Sequence, residues 1–250
     1  MNSIGIIPAR MNSTRFPGKP LVVIEGKSMI RRVYERTVLC HDLAKVVVAT
    51  DHKSIFDHVL DFGGEAVMTA SSHNTGTERC AEALEMIHAR DNIEYNLVIN
   101  IQGDEPYLHP EQISEVVRCF SDPSVPIATL VREIADPEDI NDPNVVKVVF
   151  DENHQVLYFS RQAIPYIRQK TSGASVSGVR FFEHVGIYGF RGDILSRLVQ
   201  LPESPLEQAE SLEQLRWLQH GFQIFVRETN YQSISIDSPA DLRKITNRKC

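Results

Sequence analysis

Short apolar runs that alternate with segments of helical period constrain this chain more than any other feature. Residues 4–8, 46–48, 65–68 and 97–101 read as strands. Between them, Met29, Ile30, Val33, Tyr34 and Thr37 mark one face of a helix. A second helix spans residues 53–62 and stops at Gly63 and Gly64, and a third starts near Thr77. This alternation predicts stacked βαβ units around a largely parallel sheet. The later sequence is less regular: residues 126–131, 145–150 and 156–159 read as strands joined by turns such as Asp151-Glu152-Asn153, which predicts an inserted antiparallel hairpin. A Ser- and Gly-rich loop over 171–178 follows. Then come a strand over 185–190, helical segments over 194–199 and 206–220, a strand over 222–226 and a last helix from Pro239. There is no repeat, low-complexity tract or linker, so residues 1–250 are expected to form one α/β domain.

Composition excludes little but agrees. The 250 residues carry 26 Lys and Arg against 33 Asp and Glu, a formal charge of −7, and 42 % are hydrophobic. That length and apolar content can bury a sizeable core. The acid excess argues against a general nucleic-acid binder, which needs a basic face. The start, MNSIGIIPAR, has no signal-peptide pattern, and no apolar run approaches about 18–20 residues. A cytoplasmic location without membrane insertion is therefore expected. Cys40, Cys80, Cys119 and Cys250 are scattered with no C-x-x-C, so they read as core or surface thiols.

The loop after the first strand, PARMNSTRFPGKPL, gathers Arg10, Arg15 and Lys19 with Ser13, Thr14 and Gly18. On an acidic chain this is a local positive pocket at the carboxyl end of a strand, where open α/β sheets bind ligands. A triphosphate needs such cations and backbone N–H groups. The Walker pattern fails, because Lys19 is followed by Pro20 and Ser13 stands where its first Gly should be, and no G-x-G-x-x-G occurs. The plainer alternative is a solvated basic loop.

Two carboxylates suit a divalent cation. Asp104 in NLVINIQGDEP ends a strand beside Gly103, which lets the backbone approach a ligand closely, and Mg²⁺ is commonly held by one or two carboxylates plus phosphate oxygens. The plainer alternative is a turn acid that satisfies local N–H groups. Asp237 in SISIDSPADL precedes a helix start that Ser238, Pro239 and Asp241 explain without any metal.

Taken together, IIPARMNSTRFPGKPL, VVVATDH, HNTGTER, NIQGDEP, NVVKVV, YFSRQAIPY, HVGIYGF, SPLEQAESLEQLR and IDSPADL resemble the 3-deoxy-manno-octulosonate (Kdo) cytidylyltransferase family over nearly the whole chain. The resemblance implies a glycosyltransferase-A-like, Rossmann-like mixed sheet, a β-hairpin insertion used for dimerisation, and a homodimer. The implied reaction is CTP + Kdo → CMP-Kdo + diphosphate, with Mg²⁺, for lipopolysaccharide biosynthesis. By position, Arg10, Ser13, Arg15 and Lys19 would surround the triphosphate, and Thr75, Gly76 and Arg79 would hold the nucleotide. Asp104 and Asp237 would bind the metal and, with Lys19, carry catalysis. Gln102, Arg161, Arg168, His184, Tyr188, Glu213 and Gln214 would form the acid-sugar pocket.

Without the resemblance, Arg161 reads equally as a surface ion pair, and His184 and Tyr188 as strand packing. The alternatives are activation of 8-amino-Kdo or a sialic acid, a glycosyltransferase, which the missing D-x-D disfavours, and a nucleotide-sensing protein that has lost catalysis.

Overall fold

A computed structural model describes residues 2–11, 16–168, 178–232 and 234–247, the last four by backbone alone. Its first half follows the expected alternation. Strand β1 (Ser3–Ala9) leads through a 3₁₀ turn (Lys19–Leu21) and a small ribbon, β2 (Val23–Ile24) with β3 (Lys27–Ser28), into α1 (Met29–Thr37). Next come β4 (Lys45–Thr50), α2 (Lys53–Asp61), β5 (Ala66–Met68), α3 (Gly76–Asp91) and β6 (Leu97–Asn100). The second half runs α4 (Pro110–Cys119), β7 (Ile127–Glu133), α5 (Pro137–Asn141), β8 (Lys147–Phe150), β9 (Val156–Ser160) and β10 (Phe182–Arg191). It closes with α6 (Gly192–Leu198), α7 (Pro205–Glu210), α8 (Gln214–Gln219), β11 (Ile224–Glu228) and α9 (Pro239–Asn247).

The main sheet has the order β11-β7-β10-β6-β1-β4-β5. Strands β6, β1, β4 and β5 are parallel, whereas β10 runs antiparallel to both β6 and β7. The β8–β9 hairpin is antiparallel and joins the sheet through β10, so the expected hairpin is present. Parallel strands are buried on both faces, which explains why their sequences read as continuous apolar runs. In β1, Ile4 and Ile6 enter one core with Cys80, Leu84 and Ile87 of α3, while Ile7 and Ala9 enter the other with Ile30 and Val33 of α1. All four β1 side chains are at most 4 % exposed.

Several elements depart from the expectation, among them the short α5 and the β2–β3 ribbon, neither of which the sequence reading placed. Helix α4 was not foreseen, although Pro110 at its first position, the His109 cap and the spacing of Ile113, Val116 and Phe120 mark it clearly. The helical stretch over 206–220 is two helices, because Ser211 takes a left-handed φ of 53° and ends α7. A cap of that kind stops a helix. The Ser- and Gly-rich loop lies, up to residue 177, outside the described residues. So does Cys250, while Cys40 and Cys80 are buried and Cys119 is half-buried, all as free thiols. Among the described residues no helix is long and apolar enough to cross a membrane.

Candidate active site

The carboxyl ends of β1 and β6 and the start of α3 enclose a cleft of about 260 Å³. The end of strand β1 contributes Pro8 and Ala9, Arg10 follows directly after it, and the turn after β6 contributes Gln102, Gly103 and Asp104. Lys19 and Pro20 come from the 3₁₀ turn, and Asp237 arrives from the far end of the chain. Gly18 makes the approach of Lys19 possible: its φ of 72° is left-handed, and its N–H closes the loop onto the Met11 carbonyl at 3.1 Å. Ser13 and Arg15, expected at the triphosphate, lie outside the described residues.

Lys19, Asp104 and Asp237 meet. The Lys19 ammonium donates to Asp104 Oδ2 at 2.6 Å and to Asp237 Oδ1 at 3.1 Å. Asp237 is brought there by the return of the chain after β11, where the Ile236 N–H donates to the Asp104 carbonyl at 3.0 Å. The Ile236 side chain is fully buried beside Ile24 and Met29. Tyr231, on the same segment, stacks on His109 with ring centroids 3.9 Å apart. Gly103 has a steric reason beyond ligand approach, because a Cβ there would lie 2.8 Å from the Pro8 carbonyl oxygen. The Ser238–Asp241 helix start exists as expected, with the Asp241 N–H donating to Ser238 Oγ and Asp241 Oδ2 accepting from the Ser238 N–H. Asp237 thus faces the cleft, paired with Lys19, while its neighbours cap α9.

The opposite wall is the start of α3. Thr75 caps it with Glu78 in a reciprocal box, leaving the amino end of a 16-residue helix at the cleft, where partial positive charge favours anions. His73 and Asn74 line the cleft as well. They were missed in the sequence, and the signal was their place immediately before that capping box. Arg79 also lines the cleft, but its guanidinium donates to Thr69, to the Ala70 carbonyl and to Asp51 at 3.2 Å, so its reach toward a nucleotide is limited by these contacts.

The residues expected around a sugar divide into two groups. Gln102 lines the cleft and donates to the Gly186 carbonyl of β10 at 3.0 Å. Further along β10, His184 packs against Phe159 and Tyr188, and burial pushes its pKa down to about 3. Burial likewise raises the Tyr188 phenol and the Glu213 carboxyl. Glu213 accepts from the Thr77 hydroxyl at 2.7 Å and also bonds Thr75, which ties it to the helix start at the cleft. Gln214 is buried at the start of α8. Arg161 stands apart: its guanidinium donates to the carbonyls of Glu210, Pro143 and Ser211, and neither it nor the exposed Arg168 lines the cleft.

No group of three or more His, Cys, Asp or Glu side chains suited to a metal occurs among the described residues. Among the described residues that line the cleft, Asp104 and Asp237 around the Lys19 ammonium are the carboxylates. A site of this kind can hold anionic phosphates near a cation and bring a second, polar substrate against them.

Comparison with known proteins agrees with this chemistry. The sequence model described as cytidylyltransferase matches residues 4–228. A 3-deoxy-manno-octulosonate cytidylyltransferase of Parabacteroides distasonis is 47 % identical over 248 residues, covering 98 % of this chain and 96 % of the relative. One from Syntrophotalea carbinolica is 46 % identical over 249 residues, covering 98 % and 97 %. The solved structure of CMP:2-keto-3-deoxy-manno-octonic acid synthetase complexed with CTP superposes with a TM-score of 0.89 at 40 % identity, covering 100 % of this chain and 98 % of that one. A cytidylyltransferase from Leptospira borgpetersenii, at 15 % identity and a TM-score of 0.58, shares the fold.

Proposed function

Because the chain belongs to the cytidylyltransferase family, whose sequence model spans residues 4–228, we propose that it joins CTP to 3-deoxy-D-manno-octulosonate, giving CMP-Kdo and diphosphate for lipopolysaccharide biosynthesis. The observation that carries this reading is the meeting of Lys19, Asp104 and Asp237, separated by up to 218 positions, in one cleft with Arg10 and the start of α3. The relatives named for this reaction and the similar synthetase bound to CTP support the choice of substrates.

The sugar's anomeric hydroxyl attacks the α-phosphorus of CTP. As the new O–P bond forms, the bond to the β-phosphate breaks in line with it, diphosphate departs and the hydroxyl proton passes to solvent. Arg10 and the amino end of α3 draw the triphosphate into the cleft, with Ser13, Arg15, Thr75, Gly76 and Arg79 assigned to the nucleotide. Lys19 exchanges its carboxylate contacts for the departing diphosphate, neutralising charge where it develops.

Asp104 and Asp237 already surround one positive charge, the Lys19 ammonium, so their oxygens fit Mg²⁺, which takes one or two carboxylates and completes its shell with phosphate and water. When bound, that ion neutralises the phosphate oxygens. Gln102, Arg161, Arg168, His184, Tyr188, Glu213 and Gln214 are assigned to the acid sugar. The proposal includes a cytoplasmic homodimer. The dimer is favoured by Leu157 on β9, 62 % exposed on a strand whose sheet neighbour is β8, and by Tyr166, 80 % exposed on the chain that follows. A monomer in sedimentation equilibrium would contradict that part.

The enzymatic reading is tested by diphosphate release from CTP, Mg²⁺ and Kdo. Rapid release by the wild-type protein and almost none by Asp104→Ala or Asp237→Ala, with melting temperatures close to wild type, is expected. Near-normal turnover in either variant would remove that residue from the site.

A further inference from the structure

Asn100 ends β6, is 3 % exposed, and its Oδ1 has no hydrogen-bond partner among the described residues. Directly across the strand pair stands Tyr188, 6 % exposed, whose hydroxyl is also without a partner there. Buried polar atoms are almost always paired, so two orphans at facing positions call for a ligand that pairs them.

Their placement indicates which ligand. Val98, two residues before Asn100 on β6, and Tyr188 belong to the core on the α3 side of the sheet, so Asn100 faces that side. A Cβ on the cleft residue Gly76 would lie 3.8 Å from Asn100 Nδ2, and the cleft residue Gln102 follows two positions later. Asn100 thus lies directly behind the cleft wall that Gly76 and Gln102 form. The side chains grouped with Tyr188 are polar: the His184 ring packs against it at 5.1 Å, and Glu213, tied to Thr77 at the start of α3, interacts with it electrostatically. The cations Arg10 and Lys19 line the cleft itself. A wall of hydrogen-bonding groups without a cation suits hydroxyl groups and not phosphate.

We propose that Asn100 is a specificity-determining residue whose Oδ1 accepts a hydrogen bond from one hydroxyl of the acid sugar, beside the Tyr188 hydroxyl. The proposal rests on the acid-sugar reading above and adds to it a residue that the sequence did not single out. A site built around a substrate hydroxyl rejects the analogue that lacks it, because its own buried group is then left unpaired.

The test uses the full chain and steady-state kinetics. Asn100→Ala should lower kcat/KM for Kdo by roughly ten- to a hundredfold, while KM for CTP stays within about twofold of wild type. Wild-type protein should also turn over one single-deoxy analogue of Kdo about as poorly as the variant turns over Kdo, and the variant should lose nothing further on that analogue. A merely structural role would instead lower turnover of every analogue equally. Asn100→Ser, smaller but still polar, serves the same comparison if Asn100→Ala does not fold.

Unchanged kinetics for Kdo, a loss confined to CTP, or an equal loss on all analogues would overturn the proposal. Wild-type protein inactive on Kdo would instead refute the choice of sugar, and the comparison would then be made with the acid sugar that it does turn over.

Discussion

At the scale of residues, the cleft is organised by charges that neutralise one another until a substrate arrives. The Lys19 ammonium between two carboxylates offsets the repulsion of Asp104 and Asp237 in the absence of phosphate. If Lys19 acts mainly on departing diphosphate, Lys19→Ala should lower kcat far more than it raises KM for CTP, and a change confined to KM would contradict that role. His184 gives a prediction in pH. Its folded pKa of about 3 lies below the ordinary value of 6.5, so between these pH values the unfolded chain binds a proton that the folded chain does not. Stability is therefore lost as pH falls through that window. Glu213, raised by burial, acts in the opposite direction but is common to both proteins compared. Thermal melts of wild type and His184→Gln should diverge as pH drops from 7 toward 5, the variant losing less. Parallel curves would show that the imidazole titrates normally.

At the scale of elements, a few side-chain pairs hold the layers that carry the site. Arg216 of α8 and Glu207 of α7 form a bidentate pair at 2.7 and 2.6 Å, with only 6 % and 13 % of their side chains exposed. Glu207 also completes the cap of α7 with Ser204. Glu207→Ala would leave Arg216 buried without its carboxylate, at a cost of about 3–5 kcal/mol in a denaturant titration, and adding Arg216→Met should recover part of it. A loss under 1 kcal/mol would mean that water reaches the guanidinium. The same elements show what a sequence can reveal. The parallel strands were legible because burial on both faces writes an unbroken apolar run, and the start of α9 because Ser238 with Asp241 caps locally, whereas the Thr75–Glu78 box that starts α3 went unread and its helix was placed only near Thr77. The break at Ser211 was not legible, because a Ser in the left-handed region leaves no mark that Gly would leave.

At the scale of the whole molecule, the site depends on contacts far apart in sequence, and this limits what local patterns disclose. Asp104 and Asp237 could each be read as a turn or cap residue, and only the crossing of the chain after β11, pinned by Ile236, makes them neighbours. Asn100 was silent for the same reason, since its lack of a partner exists only once β10 lies beside β6. The net charge of −7 likewise conceals the cations gathered around one cleft. The account as a whole stands on the pairing of a cytidine nucleotide with a particular acid sugar. The most direct test is to incubate the protein with CTP, Mg²⁺ and equal amounts of Kdo, 8-amino-Kdo and a sialic acid, then identify the products by mass. The account predicts CMP-Kdo as the main product, with one diphosphate released for each molecule formed. A CMP conjugate of another sugar as the main product, or no diphosphate from any of them, would contradict it.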